Sequence, residues 1–128
     1  MSDCTFCDIV AGEEQAEVVF EDELTLAFMD IFPFTDGHVL IIPKAHADDV
    51  FAIEQPHADA VWHTTLRVAR AIRAGLSPDG LSIRQANGKV ADQHIFHFHV
   101  HAIPRYHHEE RGSLRLIGEM AERIRGAL

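Results

Sequence analysis

The sequence predicts an α+β fold: an antiparallel sheet of about five strands, one long helix and a C-terminal helix. Three observations carry this. Strand-like segments follow one another through the first half with no long helical pattern between them. An apolar stripe at helical spacing runs from Ala58 to Leu76. Residues 95–103 alternate in their centre between histidine and apolar residues, which is the period of a strand. With 128 residues the chain is read as one domain, 1–128. A chain of this size buries about two-thirds of its unfolded surface, enough for one core.

The elements are expected in this order. Residues 18–21 and 24–31 are rich in strand formers, and the acidic Glu21-Asp22-Glu23 suits a tight connection between them. Pro33 and Gly37 punctuate a loop. Residues 38–42 form a nearly continuous apolar run stopped by Pro43, as for a strand buried on both faces. Asp48 or Asp49 is placed to cap a short helical turn through Ile53, and Pro56 suits the first turn of the main helix. There Ala58, Val61, Thr65, Val68, Ile72 and Leu76 form the stripe. Asp59, His63 and the arginines 67, 70 and 73 form the solvated side, and the helix is expected to end near Gly75. Ser77-Pro78-Asp79-Gly80 reads as a turn, 81–85 as a strand, 86–92 as a loop and 95–103 as a strand. Ser113 is placed to cap a final helix with the stripe Leu114, Ile117, Ala121, Ile124 and Leu128.

A chain that is 47% apolar and 24% charged is globular rather than disordered. Its longest apolar runs, such as Val39-Leu40-Ile41-Ile42, fall far short of the about 18 residues of a membrane span. Met1-Ser2-Asp3-Cys4 has neither the basic nor the apolar stretch of a signal peptide, so a cytoplasmic location is expected. The net charge of −9, from 20 acidic against 11 basic residues, opposes binding to nucleic acid. A local pocket can still favour a small anion.

Ten histidines are the unusual feature of the composition. On a strand, His97, His99 and His101 share one face in steps of about 6.6–7 Å, with Phe98, Val100 and Ala102 on the other. Three neighbouring imidazoles suit a three-histidine metal site, because His-x-His on a strand chelates well. They equally suit phosphate chemistry, in which a neutral imidazole attacks phosphorus and its neighbours hold the oxygens. Spacing alone does not choose between the two. Cys4 and Cys7 are half a zinc site by spacing, or simply two thiols. A structural disulfide is not expected of one such pair in a cytosolic chain. His57, His63, His107 and His108 have no partner pattern and read as surface. Lys44 either reaches a phosphate or marks the exposed end of a strand.

The run His97-Phe98-His99-Val100-His101-Ala102-Ile103 resembles the signature of the histidine triad (HIT) nucleotide hydrolases and transferases at every position. Phe6-Cys7-Asp8-Ile9-Val10 is similar to the opening of that family. Asp30-Ile31-Phe32-Pro33, followed by Gly37-His38-Val39-Leu40-Ile41-Ile42-Pro43-Lys44-Ala45-His46, is similar to its second block. The resemblance covers most of the chain. It implies cleavage at the α-phosphate of a nucleoside phosphoramidate, dinucleoside polyphosphate or related nucleotide, through a covalent nucleotidyl-histidine. His99 would be the nucleophile, His101 a hydrogen-bond donor to the phosphate or leaving group, and Gln93 a contact to phosphate oxygens. Asn87 would lie in the phosphate-side loop. Asp30 would bind ribose hydroxyls, and Ile31 and Phe28 would line the pocket of a base, adenine or another purine.

The same resemblance implies a structural zinc on Cys4, Cys7, His46 and His97, as in bacterial-type members. It also implies a homodimer, for which the main helix offers Trp62 as an anchor and Ala58, Ala69 and Ala71 for close approach. Two residues depart from the family pattern: Asp92 stands where glycine is usual, and His94 where serine or threonine is usual. Asp tolerates the left-handed backbone that such a loop needs. These departures keep open a zinc-stabilised nucleotide-binding or regulatory module with little turnover. A metallohydrolase with zinc on the triad itself also remains open.

Overall fold

The computed structural model describes residues 2–128. The chain opens with a short helix, α1 (Thr5–Val10), which the sequence reading did not anticipate. Its cap is a cysteine rather than a familiar capping residue: the Cys4 Sγ accepts the N–H of Cys7 at 3.3 Å. Ser2 reinforces the turn by donating from its N–H and its hydroxyl to Asp8.

Three strands then form a meander: β1 (Val18–Glu21), β2 (Thr25–Met29) and β3 (Val39–Pro43). Asp22 closes the β1–β2 connection, its carboxylate accepting from the N–H groups of Leu24 and Thr25. β2 and β3 are buried along their whole length, as expected of β3 from its apolar run. β2 stops before Asp30, two residues short of the expected end. Asp30 and the two residues after it turn out of the sheet, with the Asp30 carboxylate accepting from the Phe32 N–H. Gly37, at φ +95°, feeds the chain back into β3. The Leu76 side chain occupies the place a Cβ there would take.

The expected turn before the main helix is present: the Asp49 carboxylate caps it by accepting from the N–H groups of Phe51 and Ala52, and its main-chain carbonyl accepts from those of Ala52 and Ile53. The main helix, α2 (Gln55–Leu76), carries Pro56 in its first turn and ends on Ser77 in the left-handed conformation. Its buried stripe is Val61, Thr64, Thr65, Val68, Ala71 and Ile72. Ala71 therefore faces the core and is not available to an outer contact. β4 (Gly80–Arg84) follows a residue earlier than expected, and a 3₁₀ turn (Lys89–Ala91) sits in the next loop.

The largest departure concerns the histidine segment. β5 spans Val100–Arg105, so of the three alternating histidines only His101 lies on a paired strand. Ile41 opposes Val100, which would put Pro43 opposite Phe98. Proline has no N–H for the ladder. The Phe98 N–H goes instead to Ala47 O at 2.7 Å, and Pro43 O accepts from the His97 ring at 2.8 Å. Residues 94–99 are thus an extended, bent approach to the strand. Alternation survives without ladder pairing.

The sheet order is β1-β2-β3-β5-β4, antiparallel throughout. A second 3₁₀ turn (Leu114–Leu116) leads into α3 (Ile117–Ala127). Ser113 does not cap it through its side chain; its N–H donates to the Asp36 carboxylate at 2.8 Å. Leu114 is exposed, and Met120, Ala121 and Ile124 are the residues that α3 buries. The two helices α2 and α3 cover one face of the sheet, where the main core lies. A smaller core on the other face packs α1, through Phe6, against Leu26, Phe28, Leu40 and Ile42. None of the helices among the described residues is long and apolar enough to cross a membrane.

Candidate active site and metal cluster

The α1 side of the sheet carries a cleft of about 630 Å³. Its apolar walls include Phe6, Ile9, Phe28, Ile31 and Leu40. Its polar part comprises His99, His101, Arg84, Asp92 and His94 with Asp30 and Glu14. The triad rings are placed by different forces. The His99 Nδ1–H donates to the main-chain carbonyl of His97 at 2.7 Å. A carbonyl only accepts, so Nδ1 holds the proton and Nε2 keeps a free lone pair. Phe6 stands edge-on to the His99 ring at 5.3 Å between centroids, and Phe28 stands edge-on to Phe6 at the same distance.

His101 is set by His38, a residue to which the sequence reading gave no role. The Phe34 N–H donates to His38 Nδ1 at 3.0 Å, so the His38 proton sits on Nε2. From there it donates to His101 Nδ1 at 2.9 Å. His101 must then carry its own proton on Nε2. The Asp30 carboxylate lies 3.4 Å from His38 Nε2 and steadies the pair. Asp30, His38 and His101 are close enough to suggest a cation site. The tautomers argue against one, because the His38 nitrogen facing His101 bears a proton.

Burial pushes all of these rings below the usual imidazole range. For His101 burial acts together with His99, His38 and Arg84 and takes the value down to about 3. His38 and His99 are lowered chiefly by burial as well, against an opposing pull from Asp30 on His38 and from the His97 carbonyl and then Asp30 on His99. At neutral pH the triad is therefore uncharged, and His99 presents a nucleophilic nitrogen next to a hydrogen-bond donor.

His97 turns away from the cleft. Its Nε2–H donates to Pro43 O at 2.8 Å, and its Nδ1 faces Cys4 Sγ at 3.3 Å and Cys7 Sγ at 3.5 Å. His46 repeats the pattern: Nε2 is held by the Asp48 carboxylate at 2.8 Å, and Nδ1 faces Cys7 Sγ at 3.3 Å. Two free thiols and two imidazole lone pairs thus converge. In a tetrahedral zinc site, ligand atoms at about 2.3 Å (S) and 2.0–2.1 Å (N) are separated by roughly 3.5 Å, so the donor set fits. The carboxylate and carbonyl behind the two rings are the outer partners that such ligands need. Burial and the neighbouring Cys4 push the Cys7 thiol up to about 11. A cation would reverse this shift. Among the described residues, no group of converging ligand atoms joins His97, His99 and His101. The three rings do not form one metal site.

The chain matches the HIT domain over residues 11–108. It belongs to the HIT family. Protein hit of Bacillus subtilis (strain 168) is 45% identical over 103 residues, covering 80% of this chain and 71% of that protein. A HIT-like protein of Bartonella henselae involved in cell-cycle regulation superimposes with a TM-score of 0.93 at 30% identity. That match covers 98% of this chain and 97% of the other. A zinc-bound histidine triad family protein of Mycobacterium smegmatis superimposes with a TM-score of 0.91 at 37% identity, covering 98% and 92%.

Within this HIT fold, the expected site residues fall into two groups. Asp30, Ile31, Phe28, His99 and His101 line the cleft. Gln93 and Asn87 are not among its lining residues, and their side chains bond to the protein. Gln93 is 1% exposed; its oxygen accepts from Gly88 N–H, and its NH2 donates to Asp48 O and Ile95 O. Asn87 exchanges two hydrogen bonds with Gln85 and accepts from Val50 N–H. Together they lock the loop after β4 onto residues 48–50. Asp92 takes the left-handed backbone expected of it, at φ 71°. Lys44 is paired with Glu21 at 2.7 Å, outside the cleft. His38 and Arg84 lie at the site with no assigned role in the sequence reading. The signal for Arg84 was its place next to the last residue of the fourth strand segment, 81–85.

Proposed function

We propose that this HIT protein is a nucleotide hydrolase or transferase that cleaves at the α-phosphate through a nucleotidyl intermediate on His99. One observation carries the reading: His99 Nδ1–H is committed to His97 O, which leaves Nε2 as a neutral nucleophile in the polar part of the cleft. A bond forms from Nε2 to the α-phosphorus as the bond to the leaving group breaks, and the leaving group departs with the electron pair. The His101 Nε2–H donates to the leaving atom, in a tautomer held by His38. Water then attacks phosphorus as the P–Nε2 bond breaks, which returns Nε2 to its free state and gives the nucleoside monophosphate; the proton that water loses to solvent balances the one an amine leaving group takes from solvent.

Asp30 receives the ribose hydroxyls. Phe28, Ile31 and Phe6 take a purine, whose flat apolar face suits these walls. Gln93 and Asn87 act by holding the loop rather than by touching phosphate. Cys4, Cys7, His46 and His97 hold zinc, and four protein ligands leave no position for water, so that ion is structural. A second copy of the chain pairs across the outer face of α2 at Trp62 and the β4 edge, where Ile83 is exposed. Light scattering should then give about 29 kDa, twice the 14.3 kDa chain.

The test is turnover of adenosine 5′-phosphoramidate and diadenosine polyphosphates by the purified protein. Release of AMP supports the reading. Tight AMP binding without release from any of these substrates leaves a nucleotide-binding module instead.

A further inference from the structure

We propose that Arg84 determines the leaving-group specificity of the cleft. It receives an oxyanion beyond the α-phosphate and so favours substrates with an anionic leaving group over those with a neutral amine. This rests on the nucleotide reading above.

The sheet register supplies the argument. Phe28 pairs with Leu40, Leu40 with His101, and His101 with Arg84. Directly paired residues lie on the same face, so these four form one row across the cleft side of the sheet. Successive members are about 4.8 Å apart, the spacing between strands. The row passes from aromatic to aliphatic, then to imidazole, then to guanidinium. A nucleotide with its base at the Phe28 end and its α-phosphorus beside His99 and His101 directs its leaving group toward β4, where Arg84 stands.

Charge points the same way. Arg84 is the one permanent cation among the described residues lining the cleft, whereas Glu14, Asp30 and Asp92 bring negative charge there. The whole chain carries −9. Without Arg84, a second phosphate would enter a cleft whose fixed charges all repel it. The guanidinium is not committed elsewhere. Its ion pair with Asp92 is 3.9 Å long and both side chains are more than half exposed, so it contributes little in water. A planar guanidinium can turn from Asp92 to grip a phosphate with two parallel N–H bonds. Asp92 is then a competitor for Arg84. A glycine in its place would leave the guanidinium free.

Binding and turnover are measured together. In a His99→Ala background, calorimetric titration should show ADP binding about 10-fold tighter than AMP, the scale of one charge-assisted contact. Adding Arg84→Gln should bring that ratio to about one and leave AMP affinity within about two-fold. With His99 intact, Arg84→Gln should lower kcat/KM for diadenosine tetraphosphate by about 10–100-fold and barely change adenosine 5′-phosphoramidate. Asp92→Asn tolerates the left-handed backbone and should raise the tetraphosphate-to-phosphoramidate ratio. Unaltered melting temperatures would exclude a folding cause. Equal losses on both substrates, or an unchanged ADP-to-AMP ratio, overturn the role of Arg84 alone. A protein that binds neither nucleotide overturns the nucleotide reading and this proposal with it.

Discussion

His97 serves two sites at once: its main-chain carbonyl accepts the Nδ1–H of His99 at 2.7 Å, while its ring points the other way into Cys4 and Cys7. One residue therefore joins the thiol cluster to the free lone pair in the cleft. Phe6 makes a second link, because it packs edge-on to both the His97 and His99 rings and belongs to the helix that Cys4 caps. A metal held at the cluster would be mechanically coupled to the geometry at His99, although the proposed chemistry uses no metal.

From that coupling, purified protein should contain about one zinc per chain, the count of one tetrahedral donor set. Cys4→Ser and His97→Ala should lower zinc content and stability together. His97→Ala should cost about 2–4 kcal/mol, since it also empties a fully buried site. His99→Ala should leave the zinc content unchanged. Stripping the metal should reduce turnover without abolishing it. Elemental analysis with melting curves checks the set. Zinc that survives loss of both cysteines and disappears with His99 would place the metal on the triad.

Removing His38 should damage turnover more than binding. His38→Phe keeps the bulk but deletes the hydrogen bond to His101 Nδ1. We expect kcat to fall about 10–100-fold with KM nearly unchanged, the cost of losing one buried hydrogen bond and its tautomer. His38→Gln, which retains an N–H donor, should recover part of the rate. A loss confined to KM would mean that His38 only shapes the pocket.

Much of this was legible in the sequence, and what was not has physical causes. The continuous apolar run of β3 and the helical stripe of α2 found their elements. Alternation at 95–103 was a true signal of side-chain direction and a false one of sheet pairing, because the missing N–H of Pro43 ends the ladder there. The helix α1 was missed because its cap is a thiol and its length is six residues. Gln93 and Asn87 look like ligand-binding residues in sequence. Only the folded loop shows that the Gln93 amide is spent internally and that the Asn87 amide is tied to Gln85 and Val50. Arg84 reaches the site through cross-strand register, and His38, just before β3, through its ring hydrogen bond to His101; no local pattern encodes either.

The buried neutral histidines set the pH response. His38 and His101 have pKa values lowered by burial, and His101 reaches about 3. In the unfolded chain both titrate near the ordinary value of about 6.5. Below that pH the unfolded state binds more protons, so stability declines as pH falls toward the lowered native values. Each such group adds a slope approaching about 1.4 kcal/mol per pH unit. Activity should be level from neutrality to below the ordinary imidazole range, and should fall only as pH drops through the lowered pKa of His99. Urea midpoints and kcat/KM between mildly acidic and neutral pH check both. An acid limb at or above the ordinary imidazole value would contradict a buried neutral nucleophile.

The central claim is that His99 Nε2 bonds to the α-phosphorus. The direct measurement is rapid quenching of wild-type protein turning over a nucleotide labelled in its α-phosphate, followed by intact-mass and peptide analysis. The account predicts an acid-labile nucleotidyl adduct on the peptide carrying His99, absent in His99→Ala, which still binds AMP. Near-normal turnover by His99→Ala, or an adduct mapped to another residue, would contradict it.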